Sequence, residues 1–415
     1  MRDARLVSKH FDIKDSFKIE VAKENGVYAD ALKRAYELEP LEIINIIKES
    51  GLRGKGGGGA TAGDKWLLMP QDSDKPSFLA VNCDESEPGT FKDRQIISKD
   101  PHLLIEGILI TCRAIKAKHA YIYIRGEYKQ FQDILQAAID EAYEDGLLKE
   151  CDITIHRGAG AYICGEKSAL LESMEGKRGH PRLKPKQKEC EWYFGNPTLV
   201  NNVETIASVP YIIEHGAEAY RKFGTQKSPG TMLFAMSGHV KNRGVYEAEF
   251  GISMWDYIQH FGGGIKDDKK LKAVIPGGAS TDVLTAGEVL NAKLDYESMR
   301  EMGSSLGTGG MIVMDEDTNM VEALKNLLEF YHEESCGQCT PCREGTGWSE
   351  KLVAKILDGK ANSEDIDKLL EISDTMNGKT ICVFAPAVSC VINSFIKKFR
   401  NEFEAYNNNS TEDIK

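Results

Sequence analysis

The sequence predicts an α/β region, then a small α+β module, then a helical bundle. Three observations carry this. Strand and helix patterns alternate from Phe78 to His156, the signature of a layered α/β fold. From Thr231 to about Asp315, short strands and glycine turns surround one helix. From Met320 to Phe403, apolar residues recur at helical spacing. These limits divide the 415 residues into 1–229, 230–318 and 319–415.

Along the chain, two short helices fill Tyr28 to Ser50, with a break near Pro40. Tyr28, Ala31, Leu32 and Ala35 share one face, and Ile43, Ile44 and Ile47 share another. Gly51 to Trp66 is the most glycine-rich stretch. Phe78–Asn82 reads as a strand running into the polar turn Asp84–Gly89. His102–Ala117 and Tyr128–Asp145 read as helices, and His119–Arg125 and Asp152–His156 as strands. The alternation fades after about Ala219. In the middle module, Thr231–Met236 and Lys272–Ile275 are strands around a helix at Ser253–Phe261. In the bundle, Val321, Leu324, Leu327, Leu328 and Tyr331 form one stripe, and Leu352, Ile356 and Leu357 begin another. The tail from Asn407 is polar and expected to fray. No internal repeat is visible.

Composition narrows the function. Hydrophobic residues make up 41% and charged residues 28%, ordinary for a globular protein with a core. A net charge of −12 argues against nucleic-acid binding. No apolar run approaches the ~20 residues needed to span a bilayer. The opening Met1-Arg-Asp-Ala-Arg5 is not an apolar leader, so no secretory signal is expected. Ten cysteines without a secretory signal suit metal ligation better than disulfides.

The densest chemical signal is Cys336-Gly-Gln-Cys-Thr-Pro-Cys342, with Cys382 further on. Three thiolates in this register can wrap one corner of a cuboidal cluster, and a distant fourth completes the cage. Structural zinc pairs its ligands as two separated knuckles instead. The bland alternative is a set of buried thiols, and that is the reading given to Cys83, Cys112, Cys151, Cys164, Cys190 and Cys390. The loop Gly51–Gly59 carries six glycines flanked by Arg53, Lys55 and Lys65, so bare N–H groups and positive charge suit a phosphate. It lacks the Gly-Lys-Ser/Thr ending of a Walker loop and reads equally as a flexible surface loop. Beside an iron–sulfur cluster, a phosphate-bearing redox cofactor such as FMN is the better match. Asn82-Cys-Asp-Glu-Ser-Glu87 puts an amide and carboxylates at the carboxyl end of a strand, where α/β sheets bind ligands. A solvated acidic cap is the alternative. Gly158–Glu166 is a second glycine-rich stretch after a strand, and Asn201-Asn202 sits where it can cap a helix or bind a ligand.

The order of these motifs resembles the NADH-binding flavoprotein subunit of respiratory complex I, a family shared with flavin subunits of NAD-linked hydrogenases and formate dehydrogenases. The matching stretches include Leu52–Trp66, Asn82–Arg94, Arg157–Glu166, Asn196–Thr205 and Glu334–Gly345. The resemblance implies an α/β flavin domain with the glycine-rich loop, a ubiquitin-like β-grasp domain and a helical bundle carrying a [4Fe–4S] cluster on Cys336, Cys339, Cys342 and Cys382. It implies non-covalent FMN near Gly54, Gly56 and Lys65. Asn82, Asp84, Glu85 and Ser86 would line the flavin with Tyr162, Gly165 and Glu166, and Asn201, Asn202 and Thr205 would close the site. Glu85 and Glu166 are the candidate catalytic residues, orienting the ring and tuning its charge, and Glu87 would help hold NAD(H). The implied partners are a thioredoxin-like [2Fe–2S] subunit and a large iron–sulfur subunit, in a bacterial complex on the cytoplasmic face of the inner membrane.

The chain departs from the family at its nucleotide positions. Ala60, Leu68 and Gln187 stand where aromatic residues are expected, Lys167 replaces an acid, and Val383-Phe-Ala385 replaces Ala-Leu-Gly after Cys382. Stacking one base on an aromatic is worth roughly 1–3 kcal/mol, so losing several platforms is expected to weaken NADH binding unless something compensates. Trp192 and Tyr193 are candidates to compensate. An FMN/[4Fe–4S] relay fed by another donor, and a degenerate docking subunit, are the rival readings.

Overall fold

The computed structural model describes residues 4–184 and 189–408. Gln187, its neighbours 185–188 and the tail from residue 409 lie outside them. The first region is built on strands β1 (Ser77–Cys83), β2 (Ala117–Ile124), β3 (Asp152–Arg157), β4 (Glu191–Tyr193) and β5 (Asn196–Asn202), in spatial order β3-β2-β1-β5-β4. β1, β2, β3 and β5 run parallel, and β4 is an antiparallel edge. The chain builds outward from β1 through β2 to β3, then crosses to β5 on the other side of β1. Such a reversal of strand order opens a crevice at the carboxyl ends of the two central strands. There Asn82 on β1 pairs in register with Asn202 on β5.

The helix Pro40–Ser50 feeds the glycine loop. Pro40 opens this helix, where its missing N–H costs nothing. Glu39 and Glu42 form a reciprocal capping box, and Gly51 ends the helix in the left-handed conformation at φ 70°. Ile43, Ile44 and Ile47 are fully buried against the sheet helices. The helix Pro101–Ala114 runs through the same core, with Asp100 accepting from Leu103 N as its cap. Its Gly107 touches the backbone of Ile206, so a side chain there would strike Ile206.

The second sheet comprises β6 (Thr231–Gly238), β7 (Gly244–Glu249), β8 (Leu271–Ile275), β9 (Leu284–Thr285) and β10 (Gly310–Asp315) in the order β7-β6-β10-β8-β9. β6 and β10 are parallel and the other pairs antiparallel. The helix Met254–His260 buries Met254, Tyr257 and Ile258 against it. This mixed sheet with one main helix is the expected α+β module. The helices Met320–Glu334, Thr340–Leu357, Ser363–Met376 and Phe384–Asn408 follow. The stripe Val321, Leu324, Leu327, Leu328, Tyr331 is buried among them. Among the described residues no helix is long and apolar enough to cross a membrane. Cys83, Cys112, Cys151 and Cys164 are buried as expected, but Cys190 is half-buried and Cys390 is exposed, the latter because it falls on the outer face of the last helix.

Candidate functional site

A cavity of about 480 Å³ opens at the carboxyl ends of β1 and β5, within the size range of cofactor sites. Its floor is the turn after β1 and its roof the glycine loop, with Gly56, Gly57 and Gly58 facing inward. A Cβ on Gly56 would lie 3.1 Å from that of Asn202. Tyr162, Gly165 and Glu166, from the turn after β3, form one side. Two further walls were not legible in the sequence. Ser280, Ser305 and Thr308 come from loops of the second sheet, and Cys382, Val383 and Phe384 from the segment that enters the last helix.

The acidic turn is held tightly. Asn82 Nδ2 donates to Gly165 O at 2.8 Å, and Asp84 N donates to Asn82 Oδ1 at 3.0 Å. Burial pushes the Asp84 carboxyl up to about 7. Its Oδ2 accepts from Ser86 Oγ, while Oδ1 is buried with no partner. Glu85 lines the cavity, but protein donors occupy its carboxylate. Oε1 accepts from Lys92 N and Asp93 N, and Oε2 from Arg94 N and the Tyr128 hydroxyl. A carboxylate has about four lone-pair positions, so these bonds fill it, and it caps the helix Asp93–Lys99. Burial and the Asp93 charge raise its carboxyl to about 7. Glu166 similarly caps the helix Lys167–Met174 through Oε2, which accepts from Ser168 N and Ala169 N. Glu87 Oε2 accepts from the Tyr162 hydroxyl at 2.6 Å and Oε1 from Ser280 N at 2.7 Å.

Beneath the cavity lies a fully buried ion network. Glu204 Oε1 is 3.2 Å from Lys55 Nζ and Oε2 is 2.9 Å from Lys92 Nζ. Lys92 also pairs with Asp93 at 2.8 Å. Burial disfavours charge on Glu204, but the two ammonium groups outweigh it and hold its carboxyl below the usual range. Two buried cations thus stand under a glycine loop. Neither Lys92 nor Glu204 was singled out in the sequence.

Gly54, Lys65, Asn201 and Thr205 stand behind the wall and do not line it. Gly54 O accepts from the Tyr296 hydroxyl, and Thr205 Oγ1 accepts from Lys55 N at 3.0 Å. Lys65 Nζ donates to Val200 O and to Asn201 Oδ1, leaving Asn201 Nδ2 buried without a partner. Desolvation and the Lys167 charge lower the Lys65 ammonium to about 8, although Glu191 opposes this. Lys167 is itself paired with Glu191. Ala60 and Leu68 do not line the cavity, nor do the two candidate substitutes. Trp192 lies under Lys75, and Tyr193 packs on Phe78 and Tyr121. The aromatic rings of the lining, among the described residues, are Tyr162 and Phe384.

The four cysteines converge. Cys336, Cys339, Cys342 and Cys382 line one small hollow with Ile163 and Phe384. Ile381 N donates to Cys339 Sγ at 3.4 Å, and Ser335 Oγ lies 3.3 Å from Cys342 Sγ. Three cysteines of one loop and a distant fourth around one hollow are the ligand pattern of a cuboidal cluster. Ile163, Cys382 and Phe384 belong to both the hollow and the large cavity.

Known families match three successive stretches of the chain. The Nuo51 FMN-binding domain matches residues 47–211, an SLBB domain residues 232–313, and the NADH-ubiquinone oxidoreductase-F iron–sulfur binding region residues 322–406. The F subunit of the NADH-quinone oxidoreductase of Rickettsia bellii is 48% identical, covering 88% of this chain and 89% of the relative. This chain belongs to the F-subunit family of NADH-quinone oxidoreductases. The corresponding F subunit of Mycobacterium tuberculosis is 44% identical over 97% of this chain and 93% of its own. Among solved structures, an NAD⁺-reducing [NiFe]-hydrogenase in the air-oxidized state superposes with a TM-score of 0.83 at 35% identity. It covers 90% of this chain, which spans 63% of that hydrogenase chain. The FMN-binding domain of the family holds β1 to β5 and the floor and roof of the cavity. The iron–sulfur region holds all four cysteines. The residues fit both groups: the unpartnered Asp84 Oδ1 and the inward glycines suit a polar ring system with a phosphate, and the thiol hollow suits a cluster.

Proposed function

We propose that this chain is the electron-entry flavoprotein subunit of an NADH:quinone oxidoreductase. The observation that carries the reading is the wall shared by the cavity and the thiol hollow. FMN bound in the cavity would accept a hydride from NADH and release electrons singly to a [4Fe–4S] cluster on Cys336, Cys339, Cys342 and Cys382. The chain's residues do the rest. Gly56, Gly57 and Gly58 let the backbone approach the cofactor phosphate, and the buried network of Lys55, Glu204 and Lys92 fixes the loop that cradles it. Asn82, Asp84, Ser86, Tyr162, Gly165 and Asn202 orient the ring. Gly54, Lys65, Asn201 and Thr205 brace these groups from behind. Glu85 acts by fixing the turn, because its lone pairs are taken, and Glu166 fixes the facing helix while presenting one oxygen. No side-chain acid is required for hydride transfer.

Residues 1–229 form the flavin domain, 230–318 the β-grasp domain and 319–415 the cluster domain. The partners are a thioredoxin-like [2Fe–2S] subunit and a large iron–sulfur subunit, which hold the chain on the cytoplasmic face of a bacterial inner membrane. The family relationship favours NADH over the rival donors, and the replaced aromatics affect affinity without changing the class of donor. Anaerobic purification with flavin and iron assays, followed by NADH titration, tests the reading. The expected result is one FMN, four irons and bleaching of the flavin by NADH. Flavin that dithionite reduces but NADH leaves oxidised would overturn it.

A further inference from the structure

We infer that the loop Pro276–Thr281 of the second sheet is a positioning element of the active site, holding the Glu87 carboxylate toward the cavity. This deepens the reading that NADH reacts in that cavity. The turn Glu87–Thr90 leaves the first sheet and seats directly on the second. Ala279 N donates to Pro88 O at 3.0 Å, and Ser280 N donates to Glu87 Oε1 at 2.7 Å. Thr90 Oγ1 and Thr308 Oγ1 lie 2.5 Å apart, and Thr308 Oγ1 donates in turn to Gly277 O. The other carboxylate oxygen is held by Tyr162. Glu87 is therefore clasped between one donor from the flavin-binding region and one from a region almost two hundred positions later.

The clasp needs glycine at 278. That residue sits at φ +100°, and a Cβ there would lie 2.5 Å from Glu87 Cγ and 2.7 Å from its Oε1. Gly89 seats the same way, since its Cβ would lie 2.9 Å from Ile312 Cγ1. Close backbone approach on both sides is what lets a loop of the second sheet reach a side chain of the first. A spacer domain would not need contacts of this kind. A carboxylate held by two donors from different regions is fixed in rotamer, and such preorganisation lowers the cost of ligand binding.

The test is a double-mutant cycle on the full chain with its cofactors. Gly278→Ala must displace Glu87. Glu87→Ala removes the atoms with which the new methyl would collide. Expected is a rise of about tenfold in KM for NADH in Gly278→Ala, with kcat, FMN content and dithionite reduction unchanged. In the Glu87→Ala background the second substitution should add nothing to KM. The fall in melting temperature on Gly278→Ala should be smaller in the Glu87→Ala background, leaving only the part due to alanine at positive φ, and this readout does not depend on the donor. Because alanine at positive φ is strained, Tyr162→Phe supplies a second variant that opens the clasp without touching the loop, and it should raise KM in the same direction. Additive effects in both KM and melting temperature, or unchanged KM in Gly278→Ala and Tyr162→Phe, would overturn the proposal. Failure of NADH to reduce the unmodified protein would overturn the functional reading instead, and the melting cycle would still decide the clasp.

Discussion

Replacing Glu204 by glutamine tests the ion network under the cavity. Glutamine keeps the size and one acceptor, so Leu233 N, which now donates to Glu204 Oε1 at 2.8 Å, retains a partner. What disappears is the charge facing two ammonium groups, at 3.2 and 2.9 Å. All three side chains are 0–1% exposed, so water cannot replace the lost partner. Removing one member of a buried pair costs about 3–5 kcal/mol. Asp93 still compensates Lys92, which places the expected loss near the lower end, about 3 kcal/mol. At roughly 2–4 °C per kcal/mol for a domain of this size, the melting temperature should fall by about 6–12 °C. Lys55 belongs to the glycine loop and loses its carboxylate partner Glu204, so the loop should shift and FMN should bind more weakly, although the lost anion alone would favour the phosphate. Asp133→Asn is the control: its pair with Lys129 is exposed on both sides, and its loss is worth no more than about 0.5 kcal/mol. The assay is thermal unfolding at one fixed scan rate, with flavin released on filtration. A Glu204→Gln protein that melts within a degree of the parent and keeps its FMN would refute the reasoning.

Other outcomes follow from the same geometry. Cys339→Ser should abolish the reduced-cluster electron spin resonance signal, and an unchanged signal would move the ligands elsewhere. Gly56→Val should empty the flavin site, since even a Cβ there comes 3.1 Å from that of Asn202; stoichiometric FMN in the purified variant would show that this loop is not the cradle. Lys65 sits at about 8, below its ordinary 10.5, so the fold penalises its protonated form and apoprotein stability should rise with pH between those values. FMN, an anion, favours that protonated form, so its affinity should fall above about pH 8, and Lys167→Glu should move the fall to higher pH; a pH-independent affinity would show that the Lys65 charge does not reach the cofactor from behind the wall. Ala60→Phe with Lys167→Glu should lower KM for NADH by about tenfold if a stacking platform is missing, and an unchanged KM would show that the site does without one.

Much of this was legible locally. The glycine loop, the acidic turn and the cysteine register are short motifs whose chemistry depends on neighbours in sequence. The helices carrying Ile43, Ile44 and Ile47, or Val321 to Tyr331, announced themselves by periodicity. β5 did not. Asn196-Pro-Thr-Leu-Val-Asn-Asn202 has low strand propensity at both ends, and its Asn pair reads as a cap. The cap is real, since Asn202 Oδ1 accepts from Glu204 N at 3.0 Å, but it closes a central strand. The buried lysines and the wall formed by Ser280 and Thr308 were beyond reach for another reason. Their roles depend on contacts between residues far apart in sequence, and a lone Lys or Ser gives no sign of which distant carboxylate it will meet.

The partition made by Ile163, Cys382 and Phe384 has an evolutionary consequence. Ile163 comes from the turn after β3, whereas Cys382 and Phe384 come from the far end of the chain. Each compartment takes part of its wall from the other half. A shuffling event that transplanted one half alone would deliver an open bowl to the recipient, with its reactive contents exposed to oxygen. The two compartments share this junction, and relatives that rearrange everything around them are expected to keep it in one polypeptide.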